Sequence, residues 1–200
     1  MKELVVATRN EKKLRELRRY LKPLKIGLAS LKDIKGAPRI VEDGSTFGEN
    51  AIKKALTISR FTRGLVLADD SGLVVDALGG LPGVRSARFA GDDATDHENN
   101  IKLLDRLGGL SYGKRRARFV CSVAIADKGK IVKTIEEACS GRIGFEIRGR
   151  CGFGYDPLFV IPKYGRTFGE LGARVKDRMS HRSKALRKAR EFLKKYLRSL

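Results

Sequence analysis

Two adjacent acids, Asp69 and Asp70, close the apolar run from Leu65 to Ala68 and lead into Ser71 and Gly72. Carboxylates at the end of a buried run are costly unless they are solvated, hydrogen-bonded or bound to metal. Hard oxygen ligands at a strand end suit magnesium, which takes one or two carboxylates and completes its shell with substrate phosphates. A polar turn is the competing reading, with Asp and Gly in ordinary turn positions; the metal reading is preferred to it. A second acidic stretch runs Glu42-Asp43-Gly44-Ser45-Thr46-Phe47-Gly48-Glu49-Asn50-Ala51. Glu49, three residues after Thr46, is explained as the acid of a helix capping box. Glu42 has no such local duty and is the better metal ligand. Lys54, one turn past Asn50, suits charge neutralisation, although a surface lysine is the commoner outcome.

Three further segments could bind a ligand. Thr8-Arg9-Asn10-Glu11-Lys12-Lys13 runs from a strand-like stretch into a helix start, where backbone N–H groups and the positive dipole end suit phosphate. Thr8 and Asn10 add side-chain polar groups and Lys13 a point charge. Taken alone, however, the segment reads as an ordinary capped helix with exposed lysines. In Gly152-Phe153-Gly154-Tyr155-Asp156-Pro157, glycines on either side of an aromatic let backbone approach a flat ligand, and Phe153 offers a stacking face. A tight turn with core aromatics is the alternative. Ser180-His181-Arg182, with Lys176 before it, supplies donors. A lone histidine is usually structural, and the two cations suit a solvated helix face equally well.

Positioning these residues takes alternating elements. Leu4–Ala7 predicts a strand, and Leu14, Leu17 and Leu21 share one face of a helix capped by Asn10. Thr46 opens a helix to about Phe61, and Leu65–Ala68 is a second buried strand. Residues 78–93 form a long glycine-rich loop, a length usually reserved for function. Thr95 and Glu98 open a helix that Gly108 and Gly109 close. Arg118–Ala126 and Lys130–Ala138 flank Asp127-Lys128-Gly129 as a hairpin. Leu158–Ile161 adds a strand, and a helix over about 183–197 buries Leu186, Ala189, Leu193 and Tyr196. The expected fold class is α/β, a mixed sheet with helices around it, in one domain over 1–200. Thr-Phe-Gly-Glu occurs at 46–49 and 167–170, but the flanks do not match and no repeat is inferred.

Composition narrows the function classes. At 42% hydrophobic and 33% charged, the chain is globular rather than disordered. No apolar run approaches the roughly 18 residues of a membrane helix. The start, Met1-Lys2-Glu3-Leu4, carries an acid, unlike a signal peptide, so the cytoplasm is expected. Cys121, Cys139 and Cys151 show neither metal-ligand nor disulfide-framework spacing. The net charge is +20, and residues 174–200 hold 11 basic against 2 acidic residues. Such a balance favours polyanionic partners: nucleic acid, acidic headgroups or a triphosphate.

The order of the motifs resembles the inosine triphosphate pyrophosphatase family, which removes noncanonical purine triphosphates such as ITP, dITP and XTP. The resemblance is carried by Thr-x-Asn-x-x-Lys at 8–13, Glu-Asp-Gly-x-Thr-Phe-x-Glu-Asn-Ala at 42–51 and Ala-Asp-Asp-Ser-Gly-Leu at 68–73. Leu-Pro-Gly-Val-x-Ser-Ala-Arg at 81–88, Gly-Phe-Gly-Tyr-Asp-Pro at 152–157 and Ser-His-Arg at 180–182 complete it. Arg9 stands where the family commonly has Gly. The resemblance implies an elongated mixed α/β fold of two lobes with a nucleotide cleft between them, usually as a homodimer. It implies magnesium on Glu42 and Asp70, with Asp70 also the catalytic acceptor, and Lys54 beside it. Thr8, Asn10, Lys13, Ser71 and Lys54 would surround the triphosphate. Phe153, Gly154, Tyr155, Asp156, Lys176, His181 and Arg182 would hold the purine. Water would attack the α-phosphorus and pyrophosphate would leave, with no covalent nucleophile.

A basic nucleic-acid-binding protein is the alternative, supported by the net charge and the basic terminal helix. It leaves Glu42 and the Asp69–Asp70 pair unexplained, because acids in such a groove repel phosphate, and no nucleic-acid module is recognisable. Nucleic acid and membrane are therefore not expected partners; a purine nucleoside triphosphate is.

Overall fold

β-Branched and leucine-rich runs give the central strands. In the computed structural model, which describes residues 3–199, β1 (Glu3–Val6) pairs in parallel with β2 (Gly27–Ser30) on one side and β3 (Leu65–Val75) on the other. β4 (Arg116–Asp127) and β5 (Lys130–Ile143) follow, then the short β6 (Phe159–Ile161) and β7 (Arg166–Thr167), which continue antiparallel from β5. The strand order is β2-β1-β3-β4-β5-β6-β7, one seven-stranded mixed sheet. The hairpin expected around Asp127-Lys128-Gly129 forms with a two-residue turn, Lys128 and Gly129, both at positive φ, Asp127 belonging to β4. The helices are α1 (Glu11–Leu21), α2 (Phe47–Thr62), α3 (Asp96–Arg106), α4 (Phe168–Met179) and α5 (His181–Ser199). Among the described residues, no helix is long and apolar enough to cross a membrane. The expectation drawn from the first residues rests partly on Met1 and Lys2, which lie outside the described residues.

The chain packs as two units. One comprises the residues up to Asp70, Cys121–Glu137 and those from Lys184 on; the other comprises Ser71–Val120 and Ala138–Ser183. In the first unit, one core joins Leu4, Val6, Leu65 and Leu67 to Leu14, Leu17 and Leu21 of α1 and to Leu186, Ala189 and Leu193 of α5. A second core joins Val5, Ala7, Val66 and Ala68 to Ala51, Ala55 and Ile58 of α2. Residues of β1 and β3 thus alternate between the α1/α5 side and the α2 side, as the period of two requires. The second unit has its own core, in which Phe119 of β4 meets Phe159 at 4.4 Å and Phe168 stacks on Phe159 at 5.5 Å. There Arg115 donates to the carbonyls of Leu107, Leu110 and Gly144, closing the end of α3.

Five local expectations change. The strand expected over Leu65–Ala68 does not end there: β3 runs unbroken through Asp69–Gly72 to Val75. β2 and α4 were not foreseen, and α5 begins two residues earlier, at His181. Thr46 does accept from the Glu49 N–H, but the Glu49 carboxylate reaches one residue further back, to the N–H and hydroxyl of Ser45. At Thr95/Glu98 and Thr167/Glu170 both halves of the capping box form. The recurring Thr-Phe-Gly-Glu is thus a twice-used helix start.

Candidate functional site

Strand alternation decides what the two adjacent acids can do. Asp69 falls in step with Leu65 and Leu67 and faces the α1 side, where its Oδ2 lies 3.1 Å from Lys13 Nζ. Asp70 falls in step with Val66 and Ala68 and faces α2, where Asn50 Nδ2 donates to its Oδ2 at 3.1 Å. Neighbours in sequence, the two carboxylates are therefore not a chelating pair. Asp70 finds its companion in Glu42 instead. Lys54 Nζ lies 2.9 Å from Glu42 Oε1 and 3.5 Å from Asp70 Oδ1, so both carboxylates converge on one cation.

This cluster is charged and largely dry. Burial raises the Asp70 carboxyl above the ordinary aspartate range; Lys54, Lys13 and Asn50 oppose that rise and Glu42 adds to it. Burial works against the Lys54 ammonium, but Asp70, Asp69 and Glu42 outweigh it and hold its pKa above that of an ordinary lysine. Among the described residues, no three His, Cys, Asp or Glu side chains form a ready-made metal cage. What they offer is two hard carboxylates facing one position, the protein share that magnesium takes when phosphates supply the rest. Asn50, which sequence reasoning missed, links the parts. Its Oδ1 accepts from the Gly44 N–H at 2.8 Å while its Nδ2 holds Asp70, tying the Glu42 segment to the acid. Gly44 is needed for this approach, because a Cβ there would lie 2.7 Å from Asn50 Oδ1.

The N-terminal segment is arranged differently from a bare anion cradle. Asn10 Oδ1 already accepts from the N–H groups of Lys12 and Lys13, and Thr8 Oγ1 accepts from the Asn10 N–H. The first turn of α1 is thus satisfied by its own cap. Phosphate there would meet mainly side chains, Lys13 first among them.

In the second unit, Ser71, Phe153, Asp156, Lys176 and Arg182 come together. Lys176, buried, is ion-paired with Asp156 Oδ2 and lies 4.3 Å from the centre of the Phe153 ring. The Arg182 guanidinium lies 5.4 Å from the same ring and donates to Ser71 Oγ at 2.6 Å. Asp156 Oδ2 also accepts from the Phe153 N–H, so it shapes the loop that presents the ring. Gly152 stands at φ +85, and a Cβ there would strike Asp156 Oδ2 at 2.0 Å. His181 is buried, its imidazole stacked 4.8 Å from the Phe119 ring. Tyr155 is buried too; its hydroxyl donates to Ser86 O at 2.8 Å, and burial holds its pKa well above the usual phenol value. Tyr155 therefore anchors the loop. A hollow of about 220 Å³ in the first unit, lined by Ala51, Ile52, Val123, Ala124, Ile135 and others, shares no residue with either set.

Comparison with known proteins gives the family. Residues 4–192, nearly the whole chain, match the model of the Ham1 family. The chain belongs to the Ham1 family. The dITP/XTP pyrophosphatase of Desulforamulus reducens is 51% identical over 191 residues, 96% of this chain and 95% of that protein. The dITP/XTP pyrophosphatase of Geobacillus kaustophilus is 48% identical, over 96% of this chain and 94% of its own length. Among solved Ham1 structures, that from Coxiella burnetii superposes with a TM-score of 0.90 at 39% identity, covering 98% of this chain and all of that one. The mixed α/β fold is thus the Ham1 fold.

Proposed function

We propose that this protein hydrolyses noncanonical purine nucleoside triphosphates (ITP, dITP and XTP) to the monophosphate and pyrophosphate. The observation that carries the proposal is the convergence of Glu42 and Asp70 on the Lys54 ammonium, with Lys13 paired to Asp69 next to Asp70 in the chain. That is a charge pattern for holding and cleaving a triphosphate, and the two relatives above are dITP/XTP pyrophosphatases. Magnesium, held by Glu42 and Asp70 with phosphate oxygens completing its shell, would offset negative charge and make bound water a stronger nucleophile.

The chain's own residues do the rest. Asp70, fixed by Asn50, takes the proton of the water that attacks the α-phosphorus. Lys54 and Lys13 offset the charge growing on the departing pyrophosphate. Phe153 stacks on the purine, and Lys176, His181 and Arg182 supply donors toward the oxygen at C6, where adenine carries an amino group. The proposal includes a homodimer working in the cytoplasm, with no need of nucleic acid.

A panel of ITP, dITP, XTP, ATP, GTP and their deoxy forms, assayed separately for pyrophosphate and orthophosphate, tests this. Pyrophosphate release from the first three, far above the rest, is expected. Orthophosphate release, or equal use of ATP, contradicts it.

A further inference from the structure

The loop that carries Phe153 has left-handed glycines on both sides, Gly152 at φ +85 and Gly154 at φ +61. Glycines loosen a chain, because they have the most backbone freedom to lose on ordering. A stacking ring mounted between two of them needs outside support to hold one position. The structure shows where that support comes from. The Gly154 N–H donates to Asp96 Oδ2 at 2.9 Å, and the Gly154 carbonyl accepts from Asn100 Nδ2 at 3.0 Å. Asp96 and Asn100 stand four residues apart in the first turns of α3 and so share one face. Asn100 Nδ2 also donates to the Asp96 carbonyl at 2.8 Å, and Asn100 is buried. With two carbonyls facing its nitrogen, the orientation of the Asn100 amide is fixed.

Both polar groups of one glycine are therefore gripped from one helix face. The next residue is gripped as well, through the Tyr155 hydroxyl on Ser86 O. Ser86 belongs to the Leu81–Arg88 motif, to which the reaction assigns no role. Its Oγ donates to the Gly83 carbonyl and accepts from the N–H of Leu73 in β3. Asn99, beside Asn100, completes the frame by holding Ala87 O and the Ala90 N–H. That motif and α3 together make a rigid mount for the Phe153 loop.

We infer that Asp96 and Asn100 are positioning residues that hold the Phe153 loop in its base-receiving form. The inference rests on the nucleotide reading for its consequence, but its geometry stands without it. Because the Gly154 N–H and carbonyl are both engaged, Gly154 serves the base through the shape of the loop, and the preformed ring spares the substrate the cost of ordering it.

Asp96→Ala and Asn100→Leu test this, with Asp93→Ala as a control that removes an exposed acid three residues earlier. Asp96 is exposed, so its variant should fold even if Asn100→Leu does not. Hydrogen exchange over residues 152–156 is measured without nucleotide, and KM and kcat are measured with ITP. Each lost tie should speed exchange in that segment and raise KM by about tenfold, with kcat within about threefold and the control unchanged. Unchanged exchange in Asp96→Ala, or a fall in kcat at constant KM, would overturn the assignment. If the unaltered protein turned over no triphosphate while the variants still exchanged faster, the proposed reaction would fail and the clamp would stand.

Discussion

Replacing Lys54 by Met keeps most of the aliphatic stem in place and removes only the ammonium. The structure then leaves Asp70, with its side chain 8% exposed, beside Glu42 without the cation they share. Breaking a buried ion pair by deleting one partner costs about 3–5 kcal/mol. Glu42 is 37% exposed and recovers water, so the lower end applies, about 3 kcal/mol. For a chain of this size that lowers Tm by roughly 6–12 °C. Because the folded pKa of Lys54 is raised, its contribution is complete below the ordinary value of 10.5 and fades only as pH rises through the higher folded value. Urea unfolding at pH 7 without divalent metal, followed by circular dichroism, therefore reads the whole effect. Adding Asp70→Asn should restore most of the loss, since the stranded charge is gone. A Lys54→Met protein within about 0.5 kcal/mol of the original, a change typical of featureless surface sites, would refute the buried-charge argument. So would an Asp70→Asn change that deepened the loss.

Asp70→Asn alone should keep the fold and lower ITP turnover by about 10²–10⁴-fold, the share usual for a positioned acid or base; steady-state kinetics checks it. The carboxylates of Glu98 and Glu170 have pKa values lowered by hydrogen bonds from Thr95 and Thr167, so their stabilisation is present above the ordinary value of 4.5 and is lost as pH falls through the lower folded values. Changing both to Gln should flatten the decline of Tm with acidification below pH 4.5, as thermal melts at stepped pH will show. A Cβ at Gly141 would lie 2.6 Å from the Phe159 ring and from Val160 O. Gly141→Ala should therefore cost about 1–3 kcal/mol in urea unfolding, the usual range for overpacking.

What the sequence disclosed and what it hid follow from the range of the interactions. Asn10, Thr46 and Thr95 announced their helices because a cap and its partners lie within four residues. The Lys128-Gly129 turn was legible for the same reason. The fate of Asp69 and Asp70 was not. A strand expected over Leu65–Ala68 gives no sign of running on, and only its place inside the sheet between β1 and β4 keeps it extended and sends the two acids to opposite faces. β2 carries four residues with weak alternation, and its parallel partner makes it a strand. α4 was obscured by Gly172, which holds a left-handed φ inside it. Asn50 reaches Asp70 across 20 positions and Asn100 reaches Gly154 across 54, so neither leaves a local pattern. His181 and Tyr155 were legible as residues of interest, but their ring stacking on Phe119 and bond to Ser86 appear only in the folded chain.

The central claim is that water attacks the α-phosphorus beside Asp70. Hydrolysis of ITP in heavy-oxygen water, with the products weighed by mass spectrometry, tests it directly. The account predicts one heavy oxygen in the nucleoside monophosphate and none in the pyrophosphate. Label in the pyrophosphate, or in released orthophosphate, would contradict it.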